Sequence, residues 1–368
     1  MSGYFGDYRI FDAHVHPEGG AGLALFLESA REFMDETGIM GVNLLCIKGR
    51  YPRLAGVDLL ALSLKANDPR FSVYGGFEYW RKTVDHDGPG LLAQLETMQA
   101  IGFDGLKMLE GKPTERAASG IPLDDPRYDP AFDLLEKTGF HILYHVNDPE
   151  EFWDKETCPA WANDGAGGYW DSKKFLSKEQ HYREIENLLA RHPGIKITFA
   201  HAYFLSNFPD RMTALLDKYP NVTVDICPGI EMYDGFTKQY KKWREIFTAY
   251  EDRFLFGTDN VIKSTASAAV THDGGSRYKI ENITRFLTGS GEFEAWGFRL
   301  RGMGLPAEIS RKILCDNYLG LRGPVKPINK DAVISYAESL NAEINDRDDT
   351  GECPKRDIAD TLAFFRAL

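Results

Sequence analysis

Ile10-Phe11-Asp12-Ala13-His14-Val15-His16 runs from apolar residues straight into two histidines spaced one apart. Along a β-strand alternate side chains share a face. His14 and His16 therefore project together, with Asp12 one step behind them. Two imidazoles side by side at a strand end make half of a metal site. The same stretch also fits a surface strand that carries two histidines and nothing more. Ligands at the ends of other strands decide between the two readings, so those strands have to be found.

Seven more apolar runs follow: GVNLLCI at 41–47, FSVYGGF at 71–77, FDGLKML at 103–109, FHILYHV at 140–146, IKITFA at 195–200, VTVDI at 222–226 and FLFG at 254–257. Between them, helical spacing of apolar residues predicts helices over 21–37, 58–66, 90–100, 129–137, 178–191, 210–218 and 237–250. Stop signals such as His192-Pro193-Gly194 and Tyr219-Pro220-Asn221 mark the helix-to-strand joints. Alternating helices and strands imply an α/β fold with parallel strands, and eight units suggest a closed (β/α)8 TIM barrel. An open doubly wound sheet is the rival, but no Gly-rich phosphate fingerprint follows the first strand. Residues 148–177 form a long loop after strand 5, rich in Trp, Gly, Asp and Pro. Its aromatics, Trp153, Trp161, Tyr169 and Trp170, suit an ordered lid, although packing is the commoner use of such residues. Past residue 260 the alternation stops. Helices are expected over 279–288, 306–321 and 357–368, giving a barrel over 1–322 and a C-terminal helical tail over 323–368 packed on it.

Composition narrows the partners. A formal net charge of -12 and a pI of about 5.3 argue against a nucleic-acid or anionic-membrane role. Five irregularly spaced cysteines without a CxxC pair read as reduced thiols in a cytoplasm. No secretory leader and no apolar run of about 18 residues is visible. The expected partner is a small molecule. The tail is a candidate arm for a homo-oligomer.

The C-terminal ends of parallel barrel strands are where catalytic residues gather. On this layout those ends carry His14 and His16, Lys107, His145, His201 and Asp259. Four of the nine histidines in the chain fall there. Counting back by twos from His201 gives Phe199, Ile197 and Ile195, an inward apolar row; the same count from His145 meets His141, at the barrel floor. Three histidines and an aspartate fill a mononuclear shell for zinc or a similar divalent ion and leave a place for water. The ion lowers the pKa of that water to about 7, Asp259 orients it and acts as general base, and a further histidine polarises a carbonyl.

FDAHVHP at 11–17, GLKML at 105–109, ILYHVNDPEEFW at 142–153, ITFAHAYF at 197–204, FLFGTD at 254–259 and ILCDNYLGL at 313–321 together resemble the amidohydrolase superfamily. The resemblance is to the amidohydrolase 2 branch, which contains aminocarboxymuconate-semialdehyde decarboxylase. It covers about residues 8 to 322, and the ordered set is far more specific than any one piece. It implies a distorted barrel and one divalent metal ion, most often zinc. By motif position it implies His14, His16, His145 and Asp259 as ligands and His201 as an unliganded catalytic histidine, with Asp259 catalytic as well. Some branches of the superfamily carry a carboxylated lysine at the end of the fourth strand, bridging two metals, and Lys107 has that place. The flanking motifs resemble the mononuclear branch, where a basic residue there binds a substrate carboxylate.

The resulting expectation is a metal-dependent hydrolase attacking an amide, ester or lactone carbonyl of a small carboxylated substrate. The alternative is a non-oxidative decarboxylase of an unsaturated or aromatic acid; members that lack the second histidine of the pair are disfavoured, because both are present. A non-catalytic barrel is a third reading, and the retained ligand set argues against it. Asp12 either bonds a ligand histidine or caps a turn. Asp225, within the seventh strand, has no assigned role. Lys48 and Arg50, after the second strand, read as solvated loop charge or as binders of an anionic group; His181 and His192 read as solvated, Glu110 as loop, and His86 and His272 as loop residues, with His272 placed where it could approach the site.

Overall fold

The computed structural model describes residues 8–81, 88–159, 169–171, 173–263, 275–345 and 352–368. His86, Trp161 and His272 lie outside the described residues. β1 (Phe11–Glu18), β2 (Gly41–Leu45), β3 (Phe71–Gly75), β4 (Gly105–Gly111), β5 (His141–Val146), β6 (Ile197–Phe199), β7 (Val222–Asp225) and β8 (Phe254–Leu255) lie side by side in chain order. All adjacent pairs are parallel. Directly after β8 the chain turns and continues as β9 (Asn260–Lys263), which pairs with the outer half of β1. Between the two, Ala13 N–H donates to the Phe256 carbonyl at 3.0 Å and Asp259 N–H to the His14 carbonyl at 2.8 Å. The last strand segment thus meets the first, and the sheet curls into a distorted (β/α)8 barrel.

Helices α1 (Leu23–Thr37), α2 (Val57–Asn67), α3 (Gly88–Ile101), α4 (Pro113–Ser119), α5 (Asp129–Thr138), α6 (Lys178–Arg191), α7 (Pro209–Lys218), α8 (Ile230–Lys238), α9 (Tyr240–Ala249) and α10 (Ser276–Thr288) follow the strands. Strands covered on both faces read as continuous apolar runs, which is why GVNLL and FSVYG are wholly buried. Their outward residues join the helices in the main core, while Phe11, Ala13, Leu45, Tyr74, Leu143 and Leu255 fill the barrel interior. His141 sits inside that filling, bonded to Tyr74 Oη at 2.7 Å and Thr198 Oγ1 at 2.8 Å. Burial lowers its pKa to about 3, so it is a neutral packing residue.

The structure departs from the sequence reading in several places. The helix expected over 237–250 is two helices, broken at Gln239, whose side chain instead donates to the Asn207 carbonyl at 2.7 Å. Within 279–321, β10 (Ser290–Ala295) and β11 (Phe298–Met303) form an antiparallel hairpin. Trp296 and Gly297 turn it with φ of 52° and 80°, the left-handed pair a two-residue hairpin requires. α11 (Ala307–Arg311) and α12 (Asn317–Arg322) flank a π-helical turn over Lys312–Asp316. The tail holds two helices, α13 (Lys330–Asn345) and α14 (Glu352–Ala367), which pack on each other and against α2 and α3. α13 escaped notice because its apolar stripe, Val333, Ala337, Leu340 and Ile344, is diluted by charge.

Of the four residues expected to be solvated, three are buried and Arg50 is partly exposed. His181 and His192 are buried. Lys48 is buried in an ion pair with Asp58 at 2.7 Å, and Arg50 is paired with Glu115 at 3.0 Å. Glu110 belongs to β4, buried, and accepts the Tyr79 hydroxyl. In the long loop, Phe152, Cys158 and Trp170 make a small core joined by Trp153, Tyr169 and Phe175. Cys46, Cys158, Cys227 and Cys315 are buried, and among the described residues no helix is long and apolar enough to cross a membrane.

Candidate metal centre

β1 delivers His14 and His16 to the barrel mouth as its period of two requires. His14 donates its Nδ1–H to Asp225 Oδ2 at 2.8 Å, and His16 donates its Nδ1–H to the Leu45 carbonyl at 2.8 Å. A carboxylate and a carbonyl only accept, so each ring presents Nε2 as an acceptor. The two Nε2 atoms lie 3.1 Å apart. Asp259 Oδ1 lies 3.1 Å from the His16 nitrogen and 3.7 Å from that of His14. Three electron-rich atoms facing one point repel each other unless a cation lies among them. A ligand imidazole whose other nitrogen donates to a carboxylate or carbonyl is also the usual outer bonding of a metal site. The donor set therefore fits a divalent ion, and the three residues form a candidate metal-binding group.

Backbone strain aims the other side chains. Asn147, His201 and Asp259, just beyond β5, β6 and β8, have φ of 71°, 56° and 54°. Left-handed φ is uncommon outside glycine and clusters at functional sites. After His201 it continues through Ala202, Tyr203 and Phe204. This turn stacks Phe204 on the His201 ring at 5.1 Å and lets Asp225 Oδ1 accept the His201 N–H at 2.8 Å. Gly257 is required for a different reason. A Cβ there would lie 2.8 Å from His14 Cβ and 3.0 Å from Cys227 Cβ.

Charges follow from burial and neighbours. Burial, followed by the nearby Lys107, holds His14 well below the ordinary histidine range. Burial, then the neighbouring His145, lowers His201 to about 4. His145 also falls to about 4, burial outweighing its bond to Asp148. At Asp259 loss of solvent works upward, and the adjacent His16, with His14 and His201, outweighs it and holds the carboxyl well below its usual range. Lys107, buried, has a lowered pKa through desolvation, opposed by Asp259 and Asp225.

His14, His16 and Asp259 are thus brought together, and Lys107 Nζ reaches His14 Nε2 at 3.3 Å. His201 is adjacent, its ring 5.4 Å from that of His14. His145 does not join the convergent three. Its ring lies 4.9 Å from His201, and its Nε2 donates to the Asn147 carbonyl at 3.0 Å, which leaves Nδ1 as the free acceptor. Asp12 bonds no ligand ring. It accepts the backbone N–H groups of His14 and Thr258, both at 3.1 Å, and so ties β1 to the end of β8. Burial raises its pKa to about 7. Two residues were missed by sequence reasoning. Asp225 holds His14 and the His201 backbone, and Cys227 Sγ lies 3.3 Å from His14 Nδ1 and 3.1 Å from His201 Nδ1. The signal was available: Thr223, Asp225 and Cys227 share the inward face of β7 by parity.

A small cavity of about 30 Å³ adjoins the centre along the ends of β2 to β4, lined among others by Lys48, Arg50, Tyr79, Lys107 and Glu110. Three basic residues, Lys48, Arg50 and Lys107, share its wall with Glu110 and Glu115.

A family model for amidohydrolases matches residues 73–317. The span holds Lys107, His145, His201, Asp225 and Asp259; His14 and His16 precede it. No curated protein matches the sequence. Among solved structures, 5-carboxyvanillate decarboxylase from Sphingomonas paucimobilis superposes with a TM-score of 0.51 at 13% identity, covering 86% of this chain and 99% of that one. A form of 5-carboxyvanillate decarboxylase from Novosphingobium aromaticivorans, with bound manganese and 3-methoxy-4-hydroxy-5-nitrobenzoic acid, gives 0.52 at 14%, covering 86% and 97%. 2,6-Dihydroxybenzoate decarboxylase in complex with 2,6-dihydroxybenzoate gives 0.51 at 15%, covering 84% and 99%. At such identities these likenesses speak to the fold, and the barrel is shared almost end to end. With the family model spanning most of the chain, from β3 to the start of α12, the chain belongs to the amidohydrolase family and is an enzyme of that superfamily.

Proposed function

We propose that this enzyme is a metal-dependent, non-oxidative decarboxylase of a small unsaturated or aromatic acid. The observation that carries the reading is the convergence of His14 Nε2, His16 Nε2 and Asp259 Oδ1 beside the buried amine of Lys107. His14, His16 and Asp259 would hold one divalent ion, zinc or manganese, with His145 as a fourth donor through Nδ1. Bound there, such an ion supplies Lewis acidity to a substrate oxygen. Lys107 would pair with an anionic group of the substrate in the adjoining cavity. His201, neutral at physiological pH, would bond a substrate oxygen. Asp259, ionised, would take a proton from water or from a substrate hydroxyl and return it to carbon as the C–COO⁻ bond breaks. The bond's electron pair stays on the carbon, carbon dioxide leaves, and one proton fills the vacated position. The acids named in the similar structures guide the choice of test compounds. We further propose that residues 1–322 form the catalytic unit and 323–368 a supporting extension.

Hydrolysis is the second reading, because the same three donors with ionised Asp259 could equally hold and orient a water for attack on a carbonyl. The test is a panel of hydroxybenzoates, unsaturated acids and lactones offered to zinc- or manganese-loaded enzyme. Carbon dioxide release in step with substrate loss, reduced at least 100-fold in Asp259→Asn with the fold retained, supports decarboxylation. Lactone opening without carbon dioxide moves the assignment to hydrolysis. Metal analysis separates one ion from the two that a carboxylated Lys107 would bridge.

A further inference from the structure

A second cluster of metal-type side chains lies at the opposite end of the barrel. His192 is in the joint between α6 and β6, before the strand whose other end carries His201. Asp133 and Glu136 stand three apart on α5, on adjacent turns of one face. His192 Nδ1 lies 3.3 Å from Asp133 Oδ1 and 3.8 Å from Glu136 Oε2. With metal–ligand bonds of about 2.0–2.1 Å, the edge of a tetrahedral site is about 3.3 Å. The His192–Asp133 separation already matches that edge, the His192–Glu136 separation is somewhat longer, and all three atoms lie within 4.8 Å of one another.

The ring is prepared as a ligand. His192 is 3% exposed, and its Nδ1 has no hydrogen-bond partner. That holds although Asp133 is within reach, so no N–H points along that line. Its Nε2 donates to Asp129 Oδ1 at 3.1 Å. Arg191 fixes the same carboxylate oxygen through Nε at 3.2 Å and Nη2 at 2.9 Å. A carboxylate on one ring nitrogen sets the tautomer and turns the lone pair of the other toward the cluster. Phe132 packs against the ring at 5.6 Å. Glu136 is oriented too. Its Oε1 accepts the Gly194 N–H, which leaves Oε2 for the cluster. A Cβ at position 194 would lie 2.5 Å from that Oε1, so the glycine is what lets the carboxylate dock.

We propose that Asp133, Glu136 and His192 bind a second divalent cation, separate from the catalytic centre, which clamps α5 to the start of β6. One imidazole and two carboxylates suit zinc, cobalt or manganese, and three protein donors leave room for water. Asp133 is largely exposed, so the ion enters from solvent. The bottom face of such a barrel serves stability, and the clamp acts there.

The test starts from holoenzyme with its catalytic centre filled and excess metal removed. Zinc is titrated by equilibrium dialysis, and crystals in the same zinc concentration are measured across the zinc absorption edge. The wild type is expected to take up one further equivalent, with an anomalous peak among these three side chains and a raised Tm. Asp133→Asn/Glu136→Gln, on an exposed helix face, is expected to lose that affinity at least tenfold while kcat is unchanged. Gly194→Ala should weaken it by displacing Glu136. No peak at this position, or equal uptake by wild type and the double variant, overturns the proposal and leaves His192 as a buried ion-pair residue. Because activity is not the readout, the outcome is independent of which reaction the catalytic centre performs.

Discussion

Asp225 decides which nitrogen of His14 faces the barrel mouth. It is wholly buried, its pKa raised by desolvation, and it spends one oxygen on the His14 ring and the other on the backbone N–H of His201 and Cys227. Removing such an outer partner weakens metal binding by about 10- to 100-fold. Asp225→Ala is expected to show that loss in competition with a chelator; wild-type affinity would dismiss the role. His141 gives a second prediction, in pH. Its folded pKa of about 3 lies below the ordinary value of about 6.5, so the unfolded chain binds the proton first as pH falls. Its contribution is full above pH 6.5 and is lost toward pH 3, with a slope of about 1.4 kcal/mol per pH unit. Urea melts between pH 7 and 4 should show a shallower decline in His141→Asn than in the wild type, even though the variant is less stable throughout. Parallel slopes would contradict the assignment.

At the scale of elements, the strand ends explain both what the sequence disclosed and what it hid. Period-two spacing made His14, His16 and the row behind His201 legible, because it depends only on pleat geometry. The final aim of His145, His201 and Asp259 was not legible. It depends on left-handed turns at Asn147, His201 and Asp259, which none of these residue types announces. Nor could spacing place His145 beside His201 and outside the convergent three. The β10–β11 hairpin went unread because its strands expose much of their surface, and only Trp296-Gly297 signals the turn. Gly257 is the element-scale test. Alanine there forces β8 away from His14 and Cys227, with an overpacking cost of about 1–3 kcal/mol. Denaturation should register that cost together with weakened metal uptake; an unperturbed Gly257→Ala would show that the strand has slack.

The whole molecule depends on its tail. Asp357 accepts the backbone N–H groups of Gly20 and Gly22 at 2.6 and 2.9 Å, and Asp360 accepts that of Leu23 at 3.1 Å. Two acids of α14 thereby cap the open N-terminus of α1. α13 contributes Tyr336, whose hydroxyl donates to Asp58 at 2.8 Å, and Glu343, which pairs with Arg81. Lys48, Asp58 and Glu78 are all but inaccessible to solvent in this network. Breaking a buried pair strands a charge at a cost of about 3–5 kcal/mol. Asp58→Asn is expected to show that loss in equilibrium unfolding, and Lys48→Met/Asp58→Asn a loss smaller than the sum of the single changes; strict additivity would mean the two are not coupled.

The closure between the two ends of the barrel sets a clock. The Asp12–Thr258 contact spans 246 residues and the Gly20–Asp357 contact 337. At about 5–20 residues per second of synthesis, roughly 10 to 50 s separate the emergence of the first strand from that of its last partners. During that interval the histidine pair is a bare chelating motif on an unpaired strand edge, able to capture whichever soft ion the cell offers. On the proposed metal reading, Asp259 joins the histidine pair only when the barrel closes, so selectivity for the ion would belong to the finished barrel.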